Sequence, residues 1–153
     1  MAEPYPPRVL NPSRLRVIAV GRVRRGWVSE GLELYRRRLP GLEILEVKDS
    51  TPQREAEAIL ALLHPGERLV ALSEEGQRQD SVGLARQLAD QAGERLAFAI
   101  GGADGLATGL KARASWLLSL SPLTFPHEIA RLLLVEQLYR ARTILEGGPY
   151  HRS

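Results

Sequence analysis

The sequence predicts an α/β domain with a mainly parallel sheet and helices on both faces. Three observations carry that expectation. Five short apolar runs of strand length alternate with five segments of helical periodicity, the pattern of successive β–α units. The 153 residues suit one domain, at roughly 100–200 residues per domain. Hydrophobic residues make up 44% and charged residues 25%, a globular balance that excludes a disordered or fibrous chain.

The elements follow in order. Residues 1–13 carry Pro4, Pro6, Pro7 and Pro12 with little periodicity, so an irregular N-terminal extension is expected, leaving 14–153 as a single domain. LRVIAV, residues 15–20, is an apolar run ending at Gly21 and reads as a buried strand. From Trp27 to Leu39, the positions Val28, Leu32, Tyr35 and Leu39 have helical spacing, and Arg36, Arg37 and Arg38 suit a helix C-terminus before Pro40. LEILEV, residues 42–47, alternates apolar and acidic as a half-buried strand does. Asp49, Ser50 and Thr51 precede Pro52, an N-cap group before a favoured first helical residue. Ala56, Ile59, Leu60 and Leu63 continue that helix to Pro65.

RLVAL, residues 68–72, is the third strand, and SEEGQRQD, residues 73–80, reads as a polar loop. Ser81 is the expected cap of a helix carrying Leu84, Ala85, Leu88 and Ala89. Residues 96–100 form the fourth strand, 105–114 a short helix and 116–120 the fifth strand. A long helix runs from Pro126 to about Leu145, with Ile129, Leu132, Leu133, Glu136 and Arg140 spaced along it.

Composition narrows the chemistry. No cysteine is present, which excludes a disulfide scaffold, a thiolate metal site and a cysteine nucleophile. His64, His127 and His151 have no metal-ligand spacing, so no metal is expected. No apolar run approaches the roughly 20 residues of a membrane span, and the N-terminus lacks the pattern of a signal peptide. A cytoplasmic protein away from membranes is the expectation.

The net charge of +3 is unevenly spread. Residues 14–38 carry a net +6, residues 43–94 a net −6 and residues 95–153 a net +3. Nineteen of the 21 basic residues are arginine, whose rigid fork suits phosphate. Such segregation points to an oriented anionic partner.

Ligands of open parallel sheets sit outside the carboxyl ends of the strands. The loops there lack a dinucleotide fingerprint and a P-loop; the turn after the first strand is GRVRRGW. Three features stand out instead. GGADG, residues 101–105, follows a strand directly, with glycines that permit close backbone approach to a ligand. SLSPLTFPH, residues 119–127, is unusually apolar for a loop and is therefore either buried or lining a pocket. The chain ends in GGPYHRS, whose Tyr150, His151 and Arg152 suggest a docked, functional tail.

IGGADGL, LSLSPLTFPHEIARLLLVEQLYRARTI and PYHRS together resemble the ribosomal RNA large subunit methyltransferase H family; RLRVIAVGR and WVSEGLELYRRRLP fit its start and first helix. The resemblance implies a minimal SPOUT-class fold with a C-terminal trefoil knot, a homodimer, and S-adenosyl-L-methionine-dependent methylation of N3 of a pseudouridine in a stem-loop of 23S ribosomal RNA. It maps the cofactor site onto Leu72, Gly101, Gly102, Leu120, Ser121, Pro122, Leu123, Thr124 and Phe125, and the catalytic residues onto His127, Arg140, Tyr150, His151 and Arg152. His151 is the best base candidate by its reference pKa, with Arg140 and Arg152 holding phosphate or the developing uracil anion. Arg22, Arg24, Arg25 and Arg142 are the expected RNA contacts. The alternatives are a non-catalytic ribosome-associated protein and a small-ligand-binding module on the same scaffold.

Overall fold

The computed structural model describes residues 10–152. Leu10 is buried in the core and Pro12–Arg14 form a single 3-10 turn leading into the sheet, so packing begins before residue 14. The rest of the expected N-terminal extension, residues 1–9, lies outside the described residues.

The strands are β1 (Leu15–Val20), β2 (Glu43–Val47), β3 (Arg68–Arg78), β4 (Leu96–Ile100) and β5 (Trp116–Ser119). All pairings are parallel, in the order β2-β1-β4-β3-β5. The helices are α1 (Gly26–Arg37), α2 (Pro52–Leu62), α3 (Ser81–Asp90), α4 (Thr108–Arg113) and α5 (His127–Leu145). Thr51 caps α2, its side chain accepting from the Arg54 N–H at 3.2 Å.

Every residue of β1 and β4 is buried, as central strands covered on both faces require. Val17 and Phe98 face a core shared with α1, α3 and α5; Ile18 and Ala99 face one shared with α2 and α4. At the end of the sheet remote from the expected ligand loops, buried Arg16 pairs with Glu67 and donates to the Leu62 carbonyl at 2.7 Å.

Four local expectations are corrected. Residues 73–78 are strand, not loop: β3 continues to Arg78 and pairs with β5 on both sides of an irregularity between Leu72 and Gln77. Gly76 permits this, because a Cβ there would sit 2.7 Å from the Leu117 carbonyl atoms. The cap of α3 is Asp80, whose carboxylate accepts from the Gly83 N–H at 2.7 Å, not Ser81. Helix α4 starts at Thr108 because residues 102–105 form a turn closed by the Gly105 N–H to the Gly102 carbonyl at 3.0 Å. The buried stripe of α5 is Glu128, Arg131, Leu134, Val135, Leu138 and Ala141. The face carrying Ile129, Leu132, Leu133, Glu136 and Arg140 is only half-buried or exposed.

Candidate active site

The carboxyl ends of β4 and β5 and the irregular stretch of β3 after Leu72 converge on an open cleft of about 570 Å³, lined among others by Leu72, Gly101, Gly102, Leu120, Ser121, Leu123 and Phe125. Pro122 and Thr124 belong to the same loop but are exposed and do not line the cleft. Strand β4 ends here in a sequence-encoded break. Gly101 and the turn after it press backbone on backbone, since a Cβ on Gly101 would lie 2.6 Å from the Gly105 carbonyl carbon. Gly101→Ala is therefore expected to displace the turn and weaken the affinity for a ligand in this cleft by tenfold or more, on the order of 1.4 kcal/mol. Titration calorimetry reads this directly.

A second cleft, of about 1,010 Å³, adjoins the first and shares Leu118, Leu120 and Phe125 with it. Its other walls include Asp80 and Ser81 at the start of α3, Gln137 on α5, Ser119, and His151 from the chain end. Among the described residues, two that line these clefts have a buried polar atom without a hydrogen-bond partner: His127 at Nδ1, on the side that packs toward Gly21, and Ser119 at Oγ. Such atoms are rare in native interiors.

The tail reaches the second cleft by a defined path. Helix α5 ends in a Schellman pattern: the Gly148 N–H bonds the Thr143 carbonyl at 2.8 Å and the Gly147 N–H the Ile144 carbonyl at 3.1 Å. Gly147 takes the left-handed conformation this requires, φ 73°. The chain then doubles back along α5. The Tyr150 ring meets Tyr139 edge-on at 4.7 Å, its hydroxyl lies 3.1 Å from that of Tyr35 on α1, and the Arg140 guanidinium covers its face at 4.8 Å. Burial, with the Tyr35 hydrogen bond, pushes the Tyr150 phenol up to about 12, so it stays protonated at neutral pH. Arg140 donates through Nε to Glu136 at 2.7 Å, and its NH1 lies 3.1 Å from His151 Nδ1. Arg152 is exposed.

The expected RNA contacts do not form one patch. Arg22 and Arg24 are exposed in the loop after β1, and Arg22 lines a groove that also holds Arg36. Arg25 is half-exposed and paired with Glu128. Arg142 sits fourteen residues further along α5, about 21 Å away at 1.5 Å per residue, donating to the Arg38 carbonyl at 3.1 Å and to Glu146.

Two residues that hold this loop are absent from the sequence-based set. Glu128 is buried and accepts from the backbone N–H groups of Arg24 and Arg25. Arg131, 2% exposed, donates to Glu46 at 2.6 Å and to the Gly21 carbonyl at 3.0 Å. Their signal was a pair of opposite charges three apart on the stripe that continues through Leu134, Val135 and Leu138. Among the described residues there is no cluster of three or more His, Asp or Glu able to hold a metal ion, and no helix long and apolar enough to cross a membrane.

Residues 13–151 match the family described as "Predicted SPOUT methyltransferase". The protein of Synechococcus sp. (strain RCC307) called ribosomal RNA large subunit methyltransferase H is 64% identical over 145 residues, covering 95% of this chain and 99% of that one. The protein of the same name from Parasynechococcus marenigrum (strain WH8102) is 60% identical over 144 residues, covering 94% of this chain and 100% of that one. Among solved structures, a probable methylase family protein from Haemophilus influenzae Rd KW20 superposes with a TM-score of 0.61 at 11% identity, covering 93% of this chain and 72% of that one. The SpoU methyltransferase AviRb from Streptomyces viridochromogenes, solved in complex with AdoMet, superposes with a TM-score of 0.50 at 14% identity, covering 88% and 58%. These distant structures share the fold; the close relatives decide the family. The chain is an enzyme of the SPOUT methyltransferase family and belongs with the ribosomal RNA large subunit methyltransferases H.

Proposed function

We propose that this protein transfers a methyl group from S-adenosyl-L-methionine to N3 of a pseudouridine in a stem-loop of 23S ribosomal RNA. The observation that carries this reading is the pair of adjoining clefts, which bring a donor held at the glycine turn up against an acceptor held beside the tail. The names of the close relatives support the RNA substrate, and the AdoMet complex of AviRb supports the methyl donor.

S-adenosyl-L-methionine, when bound, supplies an electrophilic methyl group on a sulfonium. The residues of the first cleft suit it. Backbone groups at Gly101, Gly102 and Leu72 can hydrogen-bond a nucleoside, while Leu120, Leu123 and Phe125 cover apolar rings and Pro122 and Thr124 shape the loop that carries them. Glu74 on the same wall complements a cationic ligand.

The imide nitrogen attacks well only once its proton is leaving, so negative charge on the base must be stabilised. Arg140, His151 and Arg152 are the groups of the tail region suited to this, and Tyr150 seats the tail. The same reading makes the enzyme a cytoplasmic homodimer whose second subunit extends the RNA surface, with the C-terminal segment forming a trefoil knot.

Arg22 and Arg24 contribute phosphate contacts at the loop after β1; Arg25 next to them and Arg142, remote from them on α5, each already hold a protein partner. Replacing Arg22 and Arg24 together by Ala is expected to weaken RNA binding and to lower the salt slope of log K by about one per lost contact. Filter binding across a salt series tests this; an unchanged slope contradicts the footprint. The reading as a whole is tested by transfer of a labelled methyl group from the cofactor to ribosomal RNA, which Arg140→Ala should reduce by about 10²-fold.

A further inference from the structure

Three residues outside the first cleft form a chain: Glu136 and Arg140 on α5, and His151 on the tail. Arg140 Nε donates to Glu136 at 2.7 Å, and NH1 lies 3.1 Å from His151 Nδ1. The guanidinium has little freedom, because the Tyr150 ring lies against it at 4.8 Å. A guanidinium has donors and no acceptor, and it stays charged. In this contact His151 Nδ1 must therefore be the acceptor. A neutral imidazole accepting at Nδ1 carries its proton on Nε2, and an imidazolium would set two donors against each other. The other charged group lining this cleft, Asp80, is committed to the Gly83 N–H.

We propose that Glu136 and Arg140 fix the tautomer of His151, so that its Nε2–H donates a hydrogen bond to the acceptor base and the ring does not take the base's proton. This rests on the second cleft being the acceptor site. His151 is then an electrostatic catalyst: it stabilises the charge that builds on a carbonyl oxygen of the base as N3 loses its proton. The N3 proton passes to solvent water, N3 bonds to the methyl carbon, and the electron pair of the breaking carbon–sulfur bond returns to sulfur. Glu136 touches no reacting atom. It is a positioning residue that acts through Arg140.

This departs from the base role expected for His151 and separates from it by experiment. Nitrogen NMR of protein labelled at histidine reads ring tautomers without substrate, and His151→Gln identifies the signal by its loss. The expected result is a pyridine-like Nδ1 and a protonated Nε2 for His151 at neutral pH, with a mixture of tautomers in Glu136→Gln. A ring protonated on Nδ1, or an imidazolium, overturns the proposal. The kinetic test uses amide geometry. Gln can present an N–H near the position of Nε2, whereas the shorter Asn reaches only the position of Nδ1. His151→Gln should keep turnover within about tenfold of wild type, while His151→Asn and His151→Ala fall by about 10²-fold, the usual cost of one oxyanion donor. A general base cannot be replaced by an amide, so His151→Gln as slow as His151→Ala, in a folded protein, overturns the donor role. Glu136→Gln should lower kcat with the KM for the methyl donor unchanged. Failure of the wild type to methylate ribosomal RNA would reject the proposed function, whereas the tautomer is decided on the protein alone.

Discussion

Ending the chain at Gly148 is expected to lower methyl transfer by about 10³-fold or more while cofactor affinity and the fold stay close to wild type. Residues 149–152 add no strand or helix. They dock on the outer side of α5 through the Tyr150 ring and the Arg140–His151 contact. Among the described residues none beyond Ala130 lines the first cleft, so the residues proposed to hold the cofactor remain in place without the tail. What is lost is His151 and Arg152, together with the aromatic face that holds Arg140 still. Calorimetric titration of S-adenosyl-L-methionine and thermal unfolding of the truncated protein separate binding from chemistry. Loss of cofactor binding and of cooperative unfolding together would show the tail to be a structural strap.

Glu128→Ala is expected to destabilise the protein by about 3 kcal/mol, because it strips a buried acceptor from three donors at once. The carboxylate accepts from the N–H groups of Arg24 and Arg25 and pairs with the Arg25 guanidinium. Its position at the start of α1, which has no side-chain cap of its own, also complements the helix dipole. The Arg25 backbone N–H, aided by the Arg24 N–H and the Arg25 charge against the cost of burial, holds the Glu128 carboxyl below the ordinary value of 4.5. A folded pKa below the unfolded one means that the contribution is complete above about pH 4.5 and is lost as pH falls through the folded value. Urea unfolding at pH 7 should therefore separate wild type and Glu128→Ala widely, and the gap should narrow as pH falls below 4.5. A gap that stays constant into acid would place the effect in packing and not in the ionised carboxylate.

The strands were legible because central strands of a parallel sheet must be apolar on both faces. LRVIAV and LAFAI can be little else. The extension of β3 was not legible. Its residues are polar, and what makes them strand is the approach of Gly76 to the backbone of β5, some forty residues later in the chain. On α5 the apolar residues surround much of the helix, so spacing alone chose Ile129, Leu132 and Leu133. Burial instead follows a stripe that starts with two charges, Glu128 and Arg131, paired to the loop after β1 and to β2. Charged residues read as solvated unless their partners are known, and these partners lie some 85 to 110 positions away. The first cleft could be read because glycines and an apolar loop at strand ends have a local signature. The contact of Arg140 with His151 could not, since it depends on the tail turning back at Gly147.

The most direct measurement is a map of the product. The protein is incubated with S-adenosyl-L-methionine and ribosomes whose large-subunit RNA already carries pseudouridine, and the RNA is then digested and analysed by mass spectrometry. One new methyl group on N3 of a pseudouridine in a stem-loop of 23S RNA is expected, and none when the pseudouridine is replaced by uridine. A methyl group on a ribose or on another base, or no transfer by protein that binds the cofactor, would contradict it.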